Sequence, residues 1–395
     1  MPQADRQLAM FGLARMAFRA LRRVAYQRLS GRWHWLYDLL FEDLRIKLIL
    51  WTRPRRLEAA AALVAATGIL DCAYSNVLHR RIATPLDSAR FYLASWSRGI
   101  DPRKPFPGFH PGVYAEARGL NARTEPLLDF LATGCRAGPW CADLIVSENG
   151  AAVQPAVAEV RSALHVHCYY PELLPRIMQG LLLNQARPDL LISVARDDAQ
   201  KEVREMLESY PANVLVRKMA NRGRDLGPLF TGFRADILGR YDIIGHFHTK
   251  KSPYHEAFGE RWMEFLREHL LGGRARMVDT IFARMHQDRS IGMVFPDDPR
   301  AEGWRANRDL ALALAPRMGL DALPANFWFP LGSMFWARVD ALAPVWRLGL
   351  SWDDYPPEPV PVDGSMLHAL ERLLGLGAPG VGLCNALTHV PGVSL

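Results

Sequence analysis

The sequence predicts an α/β protein in which a doubly wound, mainly parallel sheet follows a helical N-terminal region. Three observations lead there. From about residue 160, short apolar runs alternate with stretches of helical spacing, the pattern of strands joined by crossover helices. Four successive predicted strands end in polar groups, as strands do when their carboxyl ends share a ligand site. Before residue 150 the apolar residues recur at helical spacing instead.

Residues 1–56 carry the basic character. Leu8, Phe11, Met16, Phe18, Leu21, Val24 and Leu29 share a segment with Arg15, Arg19, Arg22, Arg23 and Arg28, which suits a basic amphipathic helix. Ser30-Gly31 breaks the run, and a second stretch from Trp33 to Trp51 interleaves Trp, Leu and Ile with Arg45 and Lys47. Two readings stand: helices lying on an anionic membrane surface, or a helical hairpin packed on the main domain. Residues 57–150 form a second, helical region with a two-copy resemblance. Tyr92-Leu-Ala-Ser matches Phe130-Leu-Ala-Thr, and each copy is introduced by Pro-Leu, at Pro85 and Pro126. Either the copies stack as a repeat or the likeness is coincidental within a helical linker. Gly150 to Ala158 has no charge and suggests a boundary, with the main domain at 160–395.

Composition narrows the function classes. The chain has 395 residues, 49% hydrophobic and 23% charged, enough for a large core. A net charge of +7 favours an anionic partner. That charge concentrates in the N-terminal helices and no familiar nucleic-acid motif accompanies it, so nucleic acid is not the expected partner. Five cysteines, none in a C-x-x-C pair, argue against a disulfide framework or structural zinc and for a reducing cytoplasm. No secretory signal and no run of about 20 apolar residues is expected.

Within the main domain, Ala163 to Tyr169 alternates and reads as a strand. Pro171-Glu172 opens a helix whose apolar residues Leu174, Ile177, Met178 and Leu181 share a face. Leu190 to Ala195 is a buried second strand that ends at Asp197 and Asp198. Lys201 to Tyr210 is a helix, Val214 to Val216 a third strand, and Ile243-Ile244 opens a fourth. The polar strand ends are His165, His167 and Tyr169; Asp197 and Asp198; Asn221, Arg222, Arg224 and Asp225; and His246, His248, Lys250 and Lys251. Two lysines beside two imidazoles suggest a phosphate ligand. Ile291 to Pro296 is a further strand, and Trp262 to Leu270 a helix ended by Gly272-Gly273.

Five stretches in order, His165-Val-His-Cys-Tyr-Tyr-Pro-Glu-Leu-Leu174, Asn221-Arg-Gly-Arg-Asp-Leu-Gly-Pro228, His246-Phe-His-Thr-Lys-Lys-Ser252, Phe329-Pro-Leu-Gly-Ser-Met-Phe-Trp336 and Asp363-Gly-Ser-Met-Leu-His-Ala-Leu-Glu-Arg372, closely resemble the rhamnan synthesis protein F family. The resemblance covers about residues 160 to 376 and implies a role in rhamnose-containing cell-surface polysaccharides. The element order is similar to GT-A glycosyltransferases, whose nucleotide-sugar domain opens with a strand, a helix and a second strand ending in acidic residues. By that likeness Asp197 or Asp198 holds the nucleobase or ribose, Asn221 to Asp225 lies near the diphosphate and sugar, and His167 and Tyr169 belong to the same nucleotide-sugar site. His246-Phe-His248 falls where such enzymes carry an Asp-x-Asp motif for Mg or Mn. Imidazoles suit magnesium poorly, although His246 and His248 could hold a softer metal; otherwise Lys250, Lys251 and Arg224 neutralise the diphosphate.

Transfer with inversion needs a base for the acceptor hydroxyl. Asp363, just ahead of a predicted helix from Gly364 to Leu374, is the first candidate and Glu358 the second; an N-cap is the other role open to Asp363. Trp304, Gly332 and Ser333 are the acceptor-side candidates. The expected function is an inverting glycosyltransferase, with rhamnose or another deoxyhexose from a nucleotide-diphosphate donor and a lipid-linked or polysaccharide acceptor. Its expected place is the cytoplasmic face of the inner membrane, held peripherally. A non-catalytic GT-A-like scaffold of a polysaccharide assembly complex is the alternative.

Overall fold

A computed structural model describes residues 55–75, 84–98, 102–121, 124–147, 160–249 and 256–394. The basic stretches from Leu8 to Trp51, and Lys250 and Lys251, lie outside these residues. Among the described residues no helix is long and apolar enough to cross a membrane.

The helical region contains α1 (Arg55–Thr67), α2 (Pro85–Arg98), α3 (Pro111–Ala117) and α4 (Pro126–Ala132). The two Pro-Leu pairs begin α2 and α4, where proline's fixed φ and missing N–H cost nothing. The matching residues Tyr92 and Phe130 are both buried in one cluster with Phe109, Tyr114 and Leu127. Equivalent positions of the two copies thus share one core.

The sheet has eight strands in the order β1-β8-β6-β7-β5-β2-β3-β4. They are β1 (Asp143–Val146), β2 (Ser162–His167), β3 (Asp189–Val194), β4 (Val214–Lys218), β5 (Ile243–His248), β6 (Ile291–Pro296), β7 (Phe335–Arg338) and β8 (Cys384–His389). All neighbours pair in parallel except β7, which runs antiparallel between β5 and β6. The α/β class, the mainly parallel sheet and the preceding helices are as the sequence predicts. So is the opening order of strand, helix and second strand: β2, α5 (Leu174–Leu182), then β3 followed at once by Asp197 and Asp198. The sheet also takes in β1, which lies inside the segment read as helical.

Helices cover both faces. Alternate strand residues Leu164, Val166, Leu190, Ile192, Ile243 and Phe247 pack with α5, α7 (Glu256–Leu270) and α8 (Met277–Gln287), after α6 (Asp197–Met206) has followed β3. The opposite set, Ala163, Leu191, Ile244, Met293 and Phe335, packs with α9 (Arg308–Met318) and α10 (Met366–Gly377). The period-2 alternation of a strand therefore decides which histidines face which layer. His165 and His167 share the face of Ala163, and His246 and His248 share that of Ile244.

Gly245 sits between them on the other face, where an added Cβ would come within 2.7 Å of Trp336 and 2.8 Å of Leu164. Trp336 is fully buried and anchored by its Nε1, which donates to the Leu270 carbonyl at 2.9 Å. It has nowhere to retreat. Gly245→Ala is expected to cost about 1–3 kcal/mol of stability from overpacking, read as a lower midpoint in urea unfolding; an unchanged midpoint would mean the strand pair is looser than described.

Candidate active site

Strand pairing converts two H-x-H motifs into a single array. β2 and β5 are parallel and in register so that His165 lies beside His246 and His167 beside His248. The rings of His165 and His246 are nearly parallel, 5° apart with centroids at 5.0 Å, and meet edge to edge. Their Nδ1 atoms are 2.9 Å apart. Ser193, from the neighbouring β3, places its Oγ 3.1 Å from His165 Nε2 and 2.9 Å from His167 Nδ1. His246 Nε2 lies 3.2 Å from Asp225 Oδ2, and His248 Nε2 donates to the Gly332 carbonyl at 2.9 Å.

The electrostatics follow from burial in this small space. Burial holds His165 well below its ordinary range, with His246 and His167 adding to the effect. Burial also brings His167 down to about 4, against the opposing pull of Asp225. For Asp225 burial pushes upward, but His248, the bond from His246 and His167 outweigh it and keep the carboxyl below its usual range. The array therefore presents an ionised Asp225 facing neutral His165 and His167 at neutral pH.

A second group forms where α10 begins. Buried Asn307 donates to Asp363 Oδ1 at 2.7 Å and accepts from the Gly364 amide at 3.1 Å. Arg372 approaches the same Asp363 oxygen at 3.9 Å. Burial pushes the Asp363 carboxyl up, but the Asn307 bond, the Gly364 amide and Arg372 outweigh it and hold the carboxyl below its usual range. The N-cap position of α10 belongs to Ser365, so Asp363 is not the N-cap. Two residues before the N-cap, it is held by Asn307 instead.

His248, at the end of β5, and Arg372, the neighbour of Asp363, both line a cavity of about 260 Å³, together with Trp262, Arg300, Arg305 and Gly332; Asp363 itself is not among its lining residues. Gly332 links its walls: its carbonyl accepts from His248 and its amide donates to Glu371 Oε1 at 2.6 Å. Its φ of +85° suits only glycine. Arg300 lies over the Trp262 ring at 4.4 Å. A larger open hollow of about 440 Å³ is lined by residues of the helical region, including Tyr114, Arg118 and Trp140, and contains none of the polar strand ends.

Other candidates fall elsewhere. Asp197 and Asp198 occupy the first turn of α6, not a bare strand end, because carboxylates are favoured at a helix N-terminus. Asp197 pairs with Lys218 at 2.5 Å and Asp198 with Arg196 at 3.1 Å, all exposed. Tyr169 is also exposed, at the end of β2. Arg222 donates to the Tyr355 carbonyl at 2.9 Å and pairs with Asp353 at 3.0 Å. Arg224 donates to the Val360 carbonyl at 3.0 Å and lies 3.5 Å from Glu358. Both arginines thus tie the Asn221–Asp225 loop to the 353–360 loop. Trp304 is in the core, donating to the Pro324 carbonyl at 2.7 Å and packed on Phe327, so it forms no acceptor wall. Ser333 is buried with φ +60° beside Gly332.

Arg300, Arg305, Arg372 and Ser193 were not among the residues expected at the site. The signal for Ser193 was present as the one hydroxyl in the apolar run Leu190 to Ala195. Arg300 and Arg305 lie in the connection between β6 and α9 and Arg372 in α10, and they share no local pattern.

A divalent metal does not fit the residues described. Both nitrogens of His246 are engaged, one with His165 and one with Asp225. Among the described residues no group of three or more His, Cys, Asp or Glu could hold a metal ion.

Among solved structures, the chain is similar to glucosyl-3-phosphoglycerate synthase from Mycobacterium tuberculosis in complex with Mn2+, UDP-glucose and phosphoglyceric acid. Identity is 15%, coverage is 63% of this chain and 78% of that one, and the TM-score is 0.30. Core-mannan synthase A from Aspergillus fumigatus, in its Mn/GDP form, gives 12% identity, 60% and 74% coverage, and a TM-score of 0.28. Among curated proteins, the uncharacterized protein WxcX of Xanthomonas campestris pv. campestris, in strains B100 and ATCC 33913, is 29% identical over 221 residues. That match covers 55% of this chain and 31% of the relative, so the chain spans about a third of the curated proteins it matches. The family model for rhamnan synthesis protein F matches residues 141–379, more than half of the chain, and the protein belongs to that family.

Proposed function

We propose that the chain is an inverting glycosyltransferase that moves a deoxyhexose, rhamnose in the first instance, from a nucleotide-diphosphate sugar to a lipid-linked or polysaccharide acceptor. Family membership supports the coarser part, a glycosyltransferase of polysaccharide synthesis. The observation that carries the site is the cavity lined by His248 from the end of β5, Gly332 ahead of β7 and Arg372 of α10, with Asp363 3.9 Å from Arg372.

In this reading the donor's diphosphate lies against Arg300, Arg305 and Arg372, whose guanidinium groups suit phosphate oxygens. The acceptor hydroxyl attacks the anomeric carbon as the carbon–oxygen bond to the diphosphate breaks. Its proton passes to Asp363, at Oδ2, because Asn307 and Arg372 both address Oδ1. The nucleoside diphosphate leaves with the bonding electrons and is balanced by the arginines. No step is assigned to a metal. The basic N-terminal segment would hold the protein at an anionic membrane surface where lipid-linked acceptors reside.

Purified protein incubated with a panel of labelled nucleotide sugars and a lipid-linked acceptor is expected to release nucleoside diphosphate and label the acceptor, with a deoxyhexose donor preferred. Failure of every donor to turn over or hydrolyse would remove the enzyme reading. The missing carboxylate motif favours the scaffold as a second reading, and calorimetry separates the two: a scaffold binds no nucleotide.

A further inference from the structure

The histidine array is a single hydrogen-bonded chain, and its proton positions follow from the chemistry at one end. The Asp225 carboxylate only accepts, so His246 Nε2 donates to it. A neutral His246 then offers a lone pair on Nδ1. The contact between the two Nδ1 atoms holds one proton, which must sit on His165. His165 in turn carries its lone pair on Nε2 and accepts from the Ser193 hydroxyl, whose oxygen accepts from His167 Nδ1. The chain ends in a bare lone pair on His167 Nε2.

One added proton on His246 reverses every link beyond the one to Asp225. His246 then donates at both nitrogens, His165 accepts at Nδ1 and donates from Nε2, and Ser193 turns to donate to His167 Nδ1. An N–H now stands on His167 Nε2. Each heavy atom can keep its place, because only protons and one hydroxyl rotor change.

We propose that Asp225, His246, His165 and Ser193 are positioning residues that form a proton relay, setting whether His167 Nε2 accepts or donates a hydrogen bond at the carboxyl edge of the sheet. The accepting state suits a sugar or ribose hydroxyl, and the donating state suits a phosphate oxygen. That consequence rests on the glycosyl-transfer reading, whereas the relay does not. The charged and titratable groups around it are Asp225 from the loop after β4, His248 on β5 and Tyr169 beyond β2. Phe233 and Phe335 close it with apolar rings. Asp225 lies 3.2 Å from His246 Nε2, so a positive charge on the chain is balanced best at His246.

Nitrogen NMR on the full chain with 15N-labelled histidine, assigned by single His→Gln variants, reads the tautomers directly. At pH 8, His165 and His167 are expected to carry their protons on Nδ1, with Nε2 bare. When the chain takes up one proton on acidification, both should transfer theirs to Nε2 in the same pH step. Ser193→Ala should leave His165 following His246 while His167 no longer responds, and Ser193→Thr should restore the link. A proton on Nε2 of His165 or His167 at pH 8, or a His167 tautomer indifferent to His246 in the unaltered protein, would overturn the relay. If Ser193→Ala fails to fold, the pH series on the unaltered protein decides alone. Sugar transfer is not measured in this experiment, so its failure leaves the enzyme reading standing, and the reverse holds.

Discussion

Lys104→Met is expected to destabilise the protein by about 3–5 kcal/mol, the penalty for stranding a buried carboxylate. Lys104 Nζ lies 2.6 Å from Asp297 Oδ1, and the two side chains are 5% and 0% exposed. The other carboxylate oxygen accepts from the Gly108 amide at 2.6 Å. Asp297 stands just past the end of β6, while Lys104 and Gly108 belong to the helical region, so one carboxylate fastens that region to the sheet. The Lys104 amide and the Ala301 amide add backbone bonds to Pro299 and Pro102 across the same seam, at 2.7 and 3.0 Å. In thermal unfolding the loss should appear as a drop on the order of 10 °C. The double variant Lys104→Met with Asp297→Asn should recover a large part of it, because Asn keeps an acceptor for Gly108 and buries no charge. A cost below about 1 kcal/mol for Lys104→Met would place the pair in the class of exposed ion pairs and refute the fastening role. Because Arg300 pairs with Asp298, next to Asp297, at 2.8 Å and lines the cavity, the same variant should, under the proposed function, also weaken donor binding.

Much of the fold was legible because alternation and helical spacing are local. Strands β2, β3, β5 and β6 and the helices after β2 and β3 could be read from apolar runs, with α6 starting earlier than expected because Asp197 and Asp198 suit its first turn. β1, β7 and β8 could not be read so. β1 and β7 have only four residues each, and β7 sits among aromatics that signal packing as readily as a strand. β1 pairs with β8 near the far end of the chain, and nothing local encodes that partner. The site divides the same way. Histidines, arginines and carboxylates at strand ends were visible as residue types. The meeting of His165 with His246 depends on the register between β2 and β5, and Arg222 and Arg224 turn toward the 353–360 loop, whose carbonyls accept from them. Such facts belong to tertiary pairing, where local pattern carries little information.

Asp363→Asn is expected to lower kcat by about 10²–10⁴-fold with little change in KM for the donor, the range for loss of a general base. Asparagine keeps an oxygen that accepts from Asn307, and the Gly364 amide still donates to Asn307, so the loop ahead of α10 should persist and the variant should fold. What it loses is the charge that, in the proposed mechanism, takes the acceptor proton. The depressed pKa makes Asp363 a weak base toward a resting hydroxyl, but that hydroxyl becomes acidic only as its oxygen bonds to the anomeric carbon, and an ionised, oriented carboxylate is then in place. The pH profile follows with a definite sign. A carboxyl held below its ordinary range stays ionised through mild acid, so kcat/KM should hold until the pH falls below about 4, the unperturbed carboxylate range, and then decline. Any stability Asp363 contributes is fully present above that range and is lost as pH falls through the depressed value. An acidic limb near neutrality would assign the base to another group, and Glu358→Gln would be the variant to compare. Equal loss from Asp363→Asn and Asn307→Ala, with KM rising in both, would instead mean that Asp363 acts by fixing the loop and that the proton goes elsewhere.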